Sequence, residues 1–199
     1  MFTHTQKGFT LVEVLVAISL LLMVIVGPLQ ILTRTNNSTA FATEQLTAWF
    51  LAQEGLELAQ QARDGYMLLY FKDSATTPSP WSSFKAGTYL KCFTGTGCDI
   101  VINNSGAVTV ADCATPANCL LYVSSSIDPA TGRSSYQHLD KTTASPYTRV
   151  ITMKQTGTAG SGRGREIAAT STVTWRTGSL IASQKVVTAT FLFNIYDTP

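Results

Sequence analysis

The residues of this 199-residue chain that are able to do chemistry are few and widely spaced. Glu13 stands at the head of "VLVAISLLLMVIVGPLQIL" (14–32), where a charge beside hydrocarbon costs about 2.5–3.5 kcal/mol at a helix centre on insertion scales. Such a carboxylate demands an opposite charge, and a helix N-terminus favours it in any case. Cys92, Cys98, Cys113 and Cys119 are even in number and paired in spacing, which in an exported chain favours disulfides. They lack the CxxC spacing of a zinc site. His4 and His138 are the only histidines, too few for a metal cluster or a His-based triad. Neither Gly-x-Ser-x-Gly nor HExxH occurs. "GSGRGRE" (160–166) is glycine-rich but follows no strand-to-helix phosphate motif, and reads as a flexible loop. "SIDPATGRSSYQHLD" (126–140) offers Asp128 and Asp140, too few ligands for calcium. No catalytic residue, metal or cofactor is expected, and the chain reads as a non-enzyme.

The elements that position these residues begin with the apolar run. Charged residues make up 13% of the chain, about half the usual fraction, and positions 14–29 carry none. The net charge of +2 gives no bulk electrostatic case for nucleic acid or an anionic surface. As a helix, the nineteen residues Val14 to Leu32 would span about 28 Å, close to the hydrocarbon thickness of a bilayer. A secretory signal peptide has a shorter apolar core, about 7–15 residues, and a small-x-small cleavage site. Here the run continues into Gly27-Pro28 with no Ala-x-Ala after it. Hydropathy alone leaves a plain membrane anchor open. Proline removes an i→i−4 bond, so Gly27-Pro28 marks either a helix break or a simple membrane-exit kink.

Residues 41–63, "FATEQLTAWFLAQEGLELAQQAR", are good helix formers. Ala48, Leu51, Gly55, Leu58 and Ala62 recur at 3-4-3-4 spacing and define an apolar face, with Glu54, Glu57 and Gln61 opposite. "TRTNNST" (33–39) is the weak link; if helix runs from Phe9 to about Arg63 it is some 80 Å long. "SATTPSPWSSFKAGT" (74–88) reads as a linker. Beyond it lie short β-rich runs. Ile167, Ala169, Ser171, Val173 and Trp175 share one strand face, and Val187, Ala189, Phe191, Phe193 and Ile195 repeat the alternation. "RTGS" (176–179) is a hairpin signal between them, and "SPYTRVITMK" (145–154) supplies a third antiparallel strand. The expected architecture is α+β, a long N-terminal helix packed on an antiparallel sheet. Its parts are a leader (1–8), a membrane helix (9–32), an amphipathic continuation (33–73) and a β-rich head (74–199).

The leader "MFTHTQKG" is short and polar and ends in Lys7-Gly8; "GFTLVE" then supplies a small residue, an aromatic and a spaced carboxylate ahead of the apolar run. This resembles the class III signal of type IV pilins and of the pseudopilins of type II secretion, and implies a pilin-like fold. The resemblance implies cleavage after Gly8 by a membrane-embedded peptidase and N-methylation of the new terminus, Phe9. It implies that Glu13 pairs with the N-terminal ammonium of a neighbouring subunit as the helix enters a filament, and that Gly27-Pro28 is the family's helix break. The expected partners are other pilin subunits, the prepilin peptidase and an inner-membrane assembly platform. The expected location is the bacterial cytoplasmic membrane, single-pass with the head outside, and then the pilus surface. "AQEGLELAQQARDGY" and "PYTRVITM…TSTVTW…ATFLFNIY" also look like PilV-type minor pilins. A type II secretion pseudopilin is the alternative. So is a filament-displayed adhesin or DNA-binding module using Arg149, Lys154, Arg163 and Arg165, for which a solvated face is the plainer account.

The cysteine connectivity has two attractive solutions. Local bridges, Cys92–Cys98 and Cys113–Cys119, each close a tight loop. Nested bridges, Cys92–Cys119 and Cys98–Cys113, are symmetric about Ser105-Gly106 inside "VINNSGAVTV", itself a hairpin pattern. Gly95, Gly97 and Pro116 weigh against an unbroken ladder, but the symmetry favours the nested pairing.

Overall fold

Helix α1 (Leu11–Lys72) opens on a threonine cap: the Thr10 hydroxyl accepts the Glu13 N–H at 3.3 Å and the Thr10 carbonyl accepts the Val14 N–H at 3.2 Å. The computed structural model describes residues 8–72, 79–102, 108–127, 134–137, 143–156, 165–177 and 182–194. The chain divides into two compact units, Met1–Glu44 and Gln45–Pro199, and α1 contributes to both.

In the first unit the described residues are helical from Leu11 onward, and those of the apolar run are exposed. By length and composition α1 is able to cross a membrane. Gly27-Pro28 is helical, with Pro28 inside one continuous helix. Proline withholds the N–H that would reach Val24, yet the bonds on either side of that gap suffice to carry the helix through. Positions 33–39 are helical as well. Thr35, Thr39 and Thr43 return their hydroxyls to the carbonyls of Ile31, Thr35 and Thr39 at 2.9 Å, which satisfies polar side chains that otherwise favour turns.

In the second unit, the α1 residues Ala48, Leu51, Ala52, Gly55, Ala59 and Ala62 are buried against the sheet. The expected face holds at four of its five positions; at Leu58 the contact rotates to Ala59, and Leu58 is half-buried. Small residues let the helix backbone approach closely. A Cβ placed on Gly55 would lie 2.6 Å from Ser171 Oγ and 3.1 Å from Arg149 Cδ. Gly55→Val is therefore expected to destabilise this unit by about 1–3 kcal/mol through overpacking, read as a lowered thermal midpoint. An unchanged midpoint would show that the approach is loose.

The strands β1 (Cys98–Ile102), β2 (Val108–Asp112), β3 (Leu120–Ile127), β4 (Ser134–Gln137), β5 (Thr143–Thr156), β6 (Glu166–Trp175) and β7 (Gln184–Phe193) form one seven-stranded sheet with antiparallel pairings. β5 is its spine. β6 runs along one edge from Thr148 to Thr156, while β3 and β1 share the other, with β2 and β4 outside them. The third strand, the β1–β2 hairpin and the β6–β7 adjacency all follow the expected pattern. The last connection is longer than an "RTGS" turn, because pairing resumes at Trp175↔Gln184; Gly178 and Ser179 lie outside the described residues.

Two stretches differ from expectation. Part of the expected linker is core: Ser79 caps α2 (Pro80–Ala86) by accepting the Ser82 N–H at 3.4 Å, and Trp81 and Phe84, one turn apart, are buried. The second difference is the face of β7. β6 buries Ile167, Ala169, Ser171, Val173 and Trp175 as expected, but β7 turns Val187, Ala189, Phe191 and Phe193 outward and buries Leu192, opposite Ile167. Ile195 lies outside the described residues.

The disulfides are local, Cys92–Cys98 and Cys113–Cys119, with Cα separations of 4.5 and 5.4 Å. The nested pairing fails on register. β1 and β2 pair Cys98 with Asp112, and Cys113 N–H bonds to the carbonyl of Gly97. That is one residue from the register the nested bridge needs, and a slip of one puts Cys98 and Cys113 on opposite faces. Gly97, at φ +73°, turns the chain that brings Cys92 back to Cys98.

Candidate processing and assembly site

Gly8, Phe9 and Thr10 precede α1 in non-helical backbone and are exposed, with Phe9 82% accessible. Accessible chain outside regular structure is where proteolysis concentrates. A Cβ on Gly8 would meet nothing within 4 Å, so the fold itself does not demand glycine there. Thr10 and Glu13 complete a Thr-x-x-Glu pattern at the N-cap and third helical positions. That pattern fixes where Glu13 sits: in the first turn, at the end of the helix where N–H groups are unsatisfied and anions are favoured. Its carboxylate meets no cation among the described residues, whereas Arg63, by contrast, pairs with Asp64 at 2.7 Å. The sequence pattern singled out Glu13 but missed Thr10 as its cap, although Thr-x-x-Glu before an apolar run carries that signal. Lys7 lies outside the described residues. Gly27 has open space around its Cβ position.

The strongest electrostatic feature lies in the second unit. Arg149 is buried, and its guanidinium donates to Asp99 Oδ1 (2.7 Å), Glu54 Oε2 (2.8 Å), the Leu51 carbonyl (3.3 Å) and the Ile100 carbonyl (3.0 Å). It thus joins α1, β1 and β5. Burial pulls the guanidinium pKa down, but Asp99 and then Glu54 outweigh it, and the net direction is upward. This overturns Arg149 as a phosphate-binding cation. Lys154 is exposed, Arg165 is half-buried and Arg163 lies outside the described residues. Sequence spacing also missed Asp99, and placed Glu54 on the far side of the helix.

A cleft of about 370 Å³ runs beside α1, lined by residues including Leu58, Ala62, Tyr66, Tyr89, Ile100 and Val108. Burial, then the neighbouring Tyr66, pushes the Tyr89 phenol up, so it stays a neutral donor. Among the described residues no three His, Cys, Asp or Glu side chains gather as a metal site. His4, Asp128, His138 and Asp140 lie outside those residues.

The exposed apolar helix is thus headed by a small residue, an aromatic and a capped carboxylate. The family model of the prokaryotic N-terminal methylation motif matches residues 3–27. No match was found among curated proteins or solved structures. The motif supports the type IV pilin and pseudopilin family, and within it a pilin-like exported subunit of structural rather than enzymatic character. It implies processing by prepilin peptidase and assembly with other pilins. The signal and the apolar helix fit membrane anchoring followed by display on the pilus surface.

Proposed function

We propose that the chain is a minor pilin of a type IV pilus, of the PilV type. In this reading it is cut after Gly8, N-methylated on Phe9, and assembled through α1 with Glu13 set against the N-terminal ammonium of a neighbouring copy. Gly27-Pro28, helical here, is the point at which packed filaments let α1 extend. The observation that carries the proposal is the coincidence of the methylation motif with a first-turn carboxylate that has no cation among the described residues. Cleavage creates an α-ammonium one helical turn away, and a charge leaving water for a packed apolar bundle holds its place only when paired.

The test is to shear surface fibres from cells and determine the intact mass and N-terminal peptide of this subunit. The expected species begins at N-methylated Phe9 and is present in the fibres. Recovery only in the envelope, co-purifying with a secretion apparatus, would favour the pseudopilin reading. A subunit retaining Met1 in every fraction would overturn both.

A further inference from the structure

Strand β7 is an edge: among the described residues its one strand partner is β6. Of the devices that blunt such edges, its ten residues carry a single lysine. They pair with β6 without a register shift and contain no proline, and Lys185 is their one charge. Its outward face is apolar, with Val187 50% and Phe191 55% accessible. The sequence of β7 is self-complementary about Ala189. In an antiparallel pairing of two copies centred there, Val187 stands opposite Phe191, Val186 opposite Leu192, Thr188 opposite Thr190 and Lys185 opposite Phe193. Aromatic–aliphatic and Thr–Thr partners are favourable cross-strand pairs, and Thr188 has a buried hydroxyl with no hydrogen-bond partner among the described residues.

Charge follows the same symmetry. Within one chain Lys185 faces Thr174, at the end of the β6–β7 ribbon that leads into Arg176. The opposite end carries Glu166 beside Phe193 on the same outward face, with the Thr156 hydroxyl 3.4 Å from its carboxylate. An antiparallel pair lays Lys185 of each copy towards Glu166 of the other. Lys185 then reaches across Phe193 to Glu166 over two strand spacings, about 9–10 Å between backbones. A like-charged edge would repel itself; this one is complementary twice.

We infer that β7 docks a second copy of this chain, edge to edge and antiparallel about Ala189, so that the two sheets become continuous. The contact is isologous and closes at two copies, which separates it from filament growth through α1. It is tested by cysteine cross-linking of the full-length chain in cell membranes. All four native cysteines are bridged, so an introduced cysteine is the sole free thiol. Ala189→Cys is expected to give a disulfide dimer under mild oxidant. Lys154→Cys, exposed but two strands in from that edge, is expected to stay monomeric. Adding Lys185→Glu to Ala189→Cys should lose the dimer, and adding Glu166→Lys as well should restore it, a rescue that misfolding would not produce. Equal cross-linking at positions 154 and 189, no dimer at 189, or a 189 adduct containing a different protein in place of a second copy would each overturn the inference.

Discussion

Replacing Arg149 with methionine is expected to destabilise the unit Gln45–Pro199 by about 3–5 kcal/mol, a large share of a typical total of about 5–15 kcal/mol. Methionine fills much of the volume and keeps the apolar stem contacts, so the loss falls on the guanidinium. Asp99 is fully buried and would keep its hydrogen bond from the Ile100 N–H at 2.9 Å while losing the guanidinium at 2.7 Å. Glu54 suffers less, because its side chain is half-exposed and water replaces the arginine. The Ile100 carbonyl loses a donor, and Leu51 loses its second one. The thermal midpoint, followed by the fluorescence of buried Trp81 and Trp175, should fall sharply. The double variant Asp99→Asn with Arg149→Met should recover much of the loss, because the buried carboxylate and its arginine are then neutralised together. The pH dependence has a definite sign. The arginine pKa is raised on folding, so its contribution is fully present below the ordinary arginine range and is lost only as pH climbs above it. Neutral-pH buffers therefore leave the guanidinium side of the clamp untouched. Should Arg149→Met melt with the wild type, the cluster is not what fastens helix to sheet.

The inward face of Arg149 was legible in the strand pattern. Ser145, Tyr147, Arg149, Ile151 and Met153 alternate along β5, and all are buried. An arginine in phase with a tyrosine, an isoleucine and a methionine is an inward charge, and an inward charge requires a partner. The partners themselves were not legible, since Asp99 and Glu54 are brought up by register and helix rotation rather than by local spacing. β7 shows the same limit. Both of its faces are rich in apolar side chains, so alternation cannot choose between them, and the register with β6 decides. The disulfides turned on a single residue of β1–β2 register. The proline- and serine-rich stretch misled through composition alone, because Ser79-Pro80 is also a helix start and Trp81 and Phe84 sit one turn apart. The N-terminal motif was the opposite case: Gly8, Phe9 and Glu13 form a local sequence pattern, and nothing in the tertiary fold was needed to find them.

Glu13 poses a sharper question than its motif suggests, because the Thr10 cap offers it a purely local reason to exist. A carboxylate at the third helical position supports the N-terminus, and glutamine does so nearly as well, since either side chain is able to return to the cap N–H. Pairing with a neighbour's ammonium needs the charge. Glu13→Gln and Glu13→Ala therefore separate the two roles. Both variants are expected to remain in the membrane and to be cut after Gly8, because the apolar run and the exposed cleavage site are untouched. Both are expected to fall about 10- to 100-fold in sheared fibres, the equivalent of losing one charge-assisted bond of about 1.5–3 kcal/mol. Thr10→Val supplies the counterpart: it removes the cap, at about 1 kcal/mol, keeps the charge, and should still enter fibres. Quantitative immunoblots of fibre and membrane fractions give the ratio directly. Wild-type incorporation of Glu13→Gln, with loss in Glu13→Ala and Thr10→Val alike, would sink the pairing idea and leave Glu13 as a helix cap. Loss in both Glu13 variants with Thr10→Val retained would mean that the charge tolerated beside the lipid is held in reserve for another copy's amino terminus.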